Sequence, residues 1–324
     1  MSDKYPLVYA TRLRDKKSLK LSSSGGMFTA LSDYFLDNKK AVVCAIYNYD
    51  NDNVEFSILL DKLSRDNARG SKYIQSNMLN ILKQSEKFLK LSDDNEILFV
   101  GMGCQAASFK KYMQVKNLEE KITTVDIICH GSPSPKIWRE YIATKKGNSK
   151  IDSLTFRDKR NGWKNPTAIV NIDKREISLK EYTNLFYNRC ILRPSCHKCP
   201  YATTNRAVDM TIGDYWGIER VCPEFYDPMG NSLVLIHTDK GLELFNKIKN
   251  SLEYQLSNQE DCLQPNLKEP TPISSNRKAF WTDYKKFPFQ KIINKYAKPS
   301  FKQRCIKFSR RVLSKVKRII IKIV

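Results

Sequence analysis

Four short apolar runs, at residues 41–47, 97–100, 125–128 and 233–236, are bounded by turn or charged residues. Runs of this length, rich in Val and Ile, predict buried strands. Residues 27–36, 105–115 and 137–144 instead repeat their apolar positions at steps of three and four, which predicts helices. Residues 176–188 read as a further helix, followed by an irregular Cys- and Pro-rich stretch up to Tyr201. Strand followed by helix, repeated, predicts an α/β fold with a mixed, partly parallel sheet flanked by helices. No internal repeat or low-complexity linker interrupts residues 1–298, which we expect to form one domain.

Around Pro299 the pattern changes. Phe301, Cys305, Phe308, Val312, Val316, Ile319 and Ile323 fall on one helical stripe, with Lys and Arg on the other faces. Such a C-terminal amphipathic helix, within the tail 299–324, would be roughly 36 Å long over 301–324 at about 1.5 Å per residue. Its interspersed charges exclude a spanning helix and favour an anionic membrane surface as partner, through residues 301–324. No aromatic interleaving or recognisable module accompanies the charge, so nucleic acid is not expected as a partner.

The net charge of +22 changes this picture only partly, since nine Lys or Arg and no acid lie in 301–324. With 41% hydrophobic residues in 324, the chain can fill a substantial core. The first residues carry Asp3, Lys4, Arg12 and Arg14 without an apolar secretory segment. A cytoplasmic protein, peripheral at the inner face of the membrane, is therefore the expectation. Nine cysteines in that compartment point to metal or redox chemistry rather than to disulfides.

Cys104 and Cys129 each end an apolar run, at Gly101-Met102-Gly103-Cys104-Gln105 and at Asp126-Ile127-Ile128-Cys129-His130-Gly131. Ligands gather outside the carboxyl ends of parallel strands, so both thiols can face one crevice. Cys196 and Cys199 form a C-x-x-C pair closed by Pro200. Four thiolates are the ligand count of a [4Fe-4S] cluster and of a structural zinc site alike. Cys190 competes with either sheet cysteine for a place, whereas Cys44, Cys222, Cys262 and Cys305 read as packing residues. The run Ser22-Ser23-Ser24-Gly25-Gly26 opens a predicted helix, where hydroxyls and glycines suit either a phosphate or an ordinary N-cap.

Taken in order, these runs together with Gly70-Ser71-Lys72-Tyr73-Ile74-Gln75-Ser76, Phe156-Arg157-Asp158-Lys159 and Asp209 to Gly217 form a specific series. The series resembles the coenzyme F420 hydrogenase/dehydrogenase beta-subunit family, from Ser22 to about Pro299. The resemblance implies FAD and a [4Fe-4S] cluster as cofactors, with Cys104, Cys129, Cys196 and Cys199 as cluster ligands and Cys190 left to packing. It implies a flavin beside Ser22, Ser23, Ser24, Gly25 and Gly26, with Lys72, Tyr73, Gln75 and Ser76 nearby. Lys72 or Arg157 would stabilise an anionic reduced flavin, and His130 would serve as proton donor. Asn205, Arg206 and Asp214 belong to the same pattern, with hydrogen bonding around sulfur or flavin as their implied role.

Two departures from the family pattern matter. No ferredoxin-like segment precedes Ser22, so electrons are expected from a separate ferredoxin-type or deazaflavin carrier. Gly101-Met102-Gly103-Cys104 replaces the usual Gly-Thr-Pro-Cys and should loosen that turn. The expected function is thus a flavin-dependent iron-sulfur oxidoreductase, in the setting of surface-polysaccharide biosynthesis that relatives without hydrogenase partners suggest. The competing expectation is a zinc-stabilised, non-catalytic module that binds anionic membrane or polymer.

Overall fold

The computed structural model describes residues 5–298. The amphipathic helix expected over 299–324 lies outside them. The first six strands are β1 (Leu7–Leu13), β2 (Ala41–Asn48), β3 (Asn53–Leu59), β4 (Ser76–Asn77), β5 (Ile97–Met102) and β6 (Ile122–Ile127). Next come β7 (Ile151–Asp158), β8 (Thr167–Ile172) and β9 (Arg175–Ser178), then β10 (Met210–Asp214), β11 (Ser232–Ile236) and β12 (Leu252–Ser257). Nine of these make one sheet in the order β12-β1-β11-β10-β6-β5-β2-β3-β4, and β7-β8-β9 make a small antiparallel sheet.

The centre of the large sheet, β10-β6-β5-β2, is parallel, and antiparallel pairs flank it on both sides. Parallel strands are covered on both faces and so carry continuous apolar runs. The period of two sorts those residues onto the faces. Val42, Leu98, Val125, Met210 and Val234 pack with Met27, Leu31 and Phe35 of helix Met27–Asp37. Ala41, Val43, Ile97 and Phe99 pack with Ala106, Phe109 and Met113 of helix Gly103–Val115. The Phe99 and Phe109 rings stack at 4.2 Å.

The four expected strands and the first three expected helices are present. The expected helix over 176–188 is corrected: Arg175–Ser178 is strand β9, and only Lys180–Tyr187 is helical. Asp173 and Lys174 make the hairpin turn between β8 and β9, both with positive φ, 50° and 61°. That two-residue geometry matches the twist of antiparallel strands, and Gly or Asn is its usual signal. β1 was also illegible, because Thr11 and Arg12 interrupt its apolar pattern. It is inserted between β11 and β12, antiparallel to both.

Candidate functional site

At the carboxyl ends of the parallel strands a cleft of about 1010 Å³ opens, floored by Cys44, Val100, Gly101, Ile127 and Ile212. This is the location at which α/β sheets usually hold ligands. Ser22, Ser23, Ser24 and Gly26 form one wall with the start of helix Met27–Asp37, and residues 68–74 form a second. Arg157, Asp214, Trp216 and Gln264 close the far side, and Cys129, His130 and Ser132 lie between.

The serine loop is held by its own hydroxyls. Ser22 Oγ donates to Ser18 O (2.7 Å), Ser24 Oγ donates to Asn231 O (2.8 Å), and Ser23 Oγ accepts from Ser71 N–H (3.2 Å). None of them caps the following helix, whose N-cap is Gly26 in the left-handed region at φ 90°. The amides of that first turn, rather than the hydroxyls, are therefore what the loop offers to an anion. Gly25 is required by a close approach. A Cβ there would lie 2.4 Å from both Ser232 N and Thr11 O, on two strands that cannot both retreat. Gly25→Ala is expected to cost stability at the upper end of the roughly 1–3 kcal/mol typical of overpacking. A thermal melt beside the parent chain measures it, and an unchanged midpoint would reject this account of the loop.

Lys72 folds back along the second wall, its ammonium donating to the carbonyls of Ala68, Arg69 (3.4 Å) and Gly70 (3.1 Å). Burial holds it down to about 8, with the Cys44 thiol opposing the shift. The Tyr73 ring stacks on Phe186 at 4.5 Å and its hydroxyl meets that of Tyr187 at 3.2 Å. Ser76, buried in the cleft, accepts from Gln105 Nε2 at 2.9 Å. Gln75 and Gly25 are not part of the cleft lining, and Gln75 N–H donates to Pro133 O (3.1 Å).

On the far side Asp214 accepts from Arg157 Nη1 and from Trp163 Nε1, the latter at 2.6 Å. Trp163 stacks on Trp216 at 4.8 Å, and the Arg157 guanidinium lies 5.8 Å from the Trp216 ring. Arg157 has 8% of its side chain exposed, yet its Nε and Nη2 have no hydrogen-bond partner, nor does Gln264 Oε1. Buried polar atoms left unpaired are costly, which makes these the candidate groups for a ligand. His130 Nε2 is likewise unpartnered, and burial, helped by Arg189, pushes its pKa below the ordinary imidazole range.

The four expected cysteines come together beside this cleft. β5 and β6 pair Met102 with Ile127, so the residues that follow carry Cys104 and Cys129 to the same carboxyl end of the sheet. The C-x-x-C loop is then pinned there, since Pro133 bridges Leu192 and Arg193 N–H donates to Ser132 O (3.0 Å). Gly131 N–H points at Cys129 Sγ (3.3 Å) and Ser132 N–H at Cys196 Sγ (3.4 Å). A Cβ on Gly103 would stand 2.9 Å from Tyr201 Cβ, so the Cys104 turn abuts the end of the Cys199 loop. Burial pushes the Cys129 thiol up to about 12 against the Gly131 amide, and Cys196, Cys104 and Cys199 add to the rise. Burial, then Cys199 and Cys196, raises Cys104 too. Among the described residues no three His, Cys, Asp or Glu side chains converge closely enough to hold a single metal ion. Cys190 is buried against Ser274, its Sγ 3.6 Å from that hydroxyl.

Arg206 and Asn205 lie on the cysteine side and outside the cleft lining. Arg206 Nη1 reaches Asp126 Oδ2 at 3.0 Å, with side-chain exposures of 2% and 0%. Its Nε donates to Thr203 O (3.0 Å), tying the end of the cysteine loop to β6. The turn expected to be loose is held by Gln105, whose Oε1 accepts from Met102 N–H at 3.3 Å. Gln105, Lys159, Trp216 and Gln264 were not singled out from the sequence. The first three sit inside the quoted runs, but nothing in their spacing tells a cleft residue from a packed one.

Among curated proteins none matches this sequence. The fold is similar to a chain in the xenon-derivatized F420-reducing [NiFe] hydrogenase complex from Methanosarcina barkeri, with a TM-score of 0.57 and 19% identity. That likeness covers 86% of this chain and 92% of the other. Two family models match the sequence, one for the N-terminal part of the coenzyme F420 hydrogenase/dehydrogenase beta subunit, over residues 8–83, and one for its C-terminal part, over residues 94–261. Between them they take in the serine loop, the Lys72 wall, Arg157, Asp214 and all four clustered cysteines, so the chain belongs to the coenzyme F420 hydrogenase/dehydrogenase beta-subunit family.

Proposed function

We propose that this oxidoreductase-family chain passes electrons between a [4Fe-4S] cluster on Cys104, Cys129, Cys196 and Cys199 and an FAD in the adjoining cleft. The observation that carries the reading is the juxtaposition of four thiols with a cleft of about 1010 Å³ whose unpaired buried atoms include those of Arg157, Gln264 and His130. The donor set supports a cluster: four thiols are its usual ligand count, and two backbone amides already aim at sulfur. Such amides favour thiolate over thiol and tune a bound cluster.

Bound together, the two groups supply the conversion between one-electron and two-electron transfer. The residues do the rest. The first-turn amides of helix Met27–Asp37 receive the flavin's anionic portion. Arg157, fixed by Asp214, and Lys72, fixed by three carbonyls, place positive charge beside the ring. His130, open at Nε2 between cleft and thiols, is the group placed to give a proton to the flavin. An electron-carrier protein of ferredoxin type or a deazaflavin is the donor, with a sugar- or lipid-linked intermediate as the acceptor to test first.

The full chain purified without oxygen should be brown, with a broad absorbance shoulder, released FAD and about four irons per chain. Colourless protein carrying one zinc per chain would sink this reading in favour of a structural site.

A further inference from the structure

Lys159 stands two residues beyond Arg157, where β7 ends. Its ammonium crosses from the small sheet and donates to three backbone carbonyls: Met229 O at 2.6 Å, Leu19 O at 2.8 Å and Ser24 O at 3.5 Å. An ammonium has three donors and no acceptor, so this set uses all of them. The three carbonyls belong to three separate segments. Leu19 is in the last turn of helix Lys16–Leu21, and its carbonyl also takes the Ser22 N–H at 3.2 Å. Ser24 is in the loop at the cleft wall, and Met229 precedes β11.

Those segments are already in tight contact. Gly230 has φ 119°, and a Cβ there would lie 3.0 Å from the Ser24 carbonyl carbon. Ser24 Oγ is spent on Asn231 O. The carbonyls would repel one another across that junction without a cation among them. We propose that Lys159 is a positioning residue, whose ammonium holds loop 22–26 in the shape that receives the flavin. This rests on the flavin reading above.

Burial, with Arg157 next, holds Lys159 down to about 8, while Asp214 and Asp227 oppose the shift. Asp227 itself faces Lys16 and Arg12, and Lys72 titrates in the same range from the opposite wall. The ammonium should therefore lose its proton, and its hold on the loop, as the pH rises through about 8.

The test measures the FAD dissociation constant of the full, anaerobically purified chain from about pH 7 to about pH 9.5. At pH 7 Lys159→Met is expected to bind FAD about tenfold more weakly, the scale of lost hydrogen bonds to a charged group, with iron content unchanged. Native affinity should fall with pH more than that of the variant. Lys159→Arg, which stays charged throughout, should recover most of the loss at neutral pH and keep the shallower dependence. Equal affinities and equal pH profiles for native and Lys159→Met would overturn the proposal and leave the flavin reading standing. A native chain that binds no FAD would overturn both. Should Lys159→Met fail to fold, Lys159→Arg decides alone, and a profile identical to the native one rejects the role.

Discussion

Cys196→Ser is expected to drop iron from about four per chain to under about one, and to remove the brown colour with it. Serine keeps the shape of the side chain but loses the thiolate, the species that binds iron. Cys196 is well placed for the test, because Ser132 N–H donates to its sulfur and Gly131 leaves room for its approach: a Cβ on Gly131 would sit 3.3 Å from Cys196 Cβ. Cys190→Ser is the matched control. That thiol is buried against Ser274 and the Cys190 carbonyl takes Arg277 Nη1 at 2.9 Å, so its loss should cost some stability and no iron. Iron and labile sulfide assays on both variants decide the matter. Full iron in Cys196→Ser would reject the ligand assignment.

Arg206→Met should be the most destabilising single change near the site. Arg206 and Asp126 form an ion pair with both side chains out of solvent, and Asp126 Oδ1 has no partner of its own. Removing the cation leaves a buried carboxylate without its charged partner, which costs about 3–5 kcal/mol. The sign of the pH dependence follows. Burial already raises the Asp126 pKa, with Arg206 opposing, and without Arg206 it rises further. A carboxyl with a raised folded pKa binds more protons folded than unfolded, so stability falls as pH climbs from the unfolded value through the folded one. The penalty should thus be largest at neutral pH and smaller in mild acid. Unfolding midpoints of native and variant chains at both pH values measure it, and a pH-independent loss would show that Asp126 is not the cause.

How legible was this molecule beforehand? The central strands declared themselves, because full burial on both faces forces unbroken apolar runs such as Ile97 to Val100. The cysteine set was legible in part. Spacing gave Cys196 with Cys199, and strand ends gave Cys104 and Cys129, but excluding Cys190 took the family pattern. Its neighbour Ser274 lies 84 residues away, and no local pattern encodes such a contact. The small sheet stayed hidden for a different reason. Its hairpin turns on Asp173 and Lys174, residues that tolerate positive φ without advertising it. The serine loop stands out for its hydroxyls, yet the structure spends those on the protein itself, and none of them caps the helix that follows.

One consequence of the parallel centre concerns how this protein can change over evolution. Cys104 and Cys129 follow neighbouring strands whose register, Met102 opposite Ile127, is set by six paired positions inside the sheet. A one-residue slip would turn every apolar side chain on a strand to the wrong face. Insertions or deletions in the outer loops therefore leave the distance between these two thiols untouched. Only the segment from Arg193 to Arg206 lacks that protection, so lineages that lengthen it should alter the half of the site that Cys196 and Cys199 supply, while the sheet half stays constant.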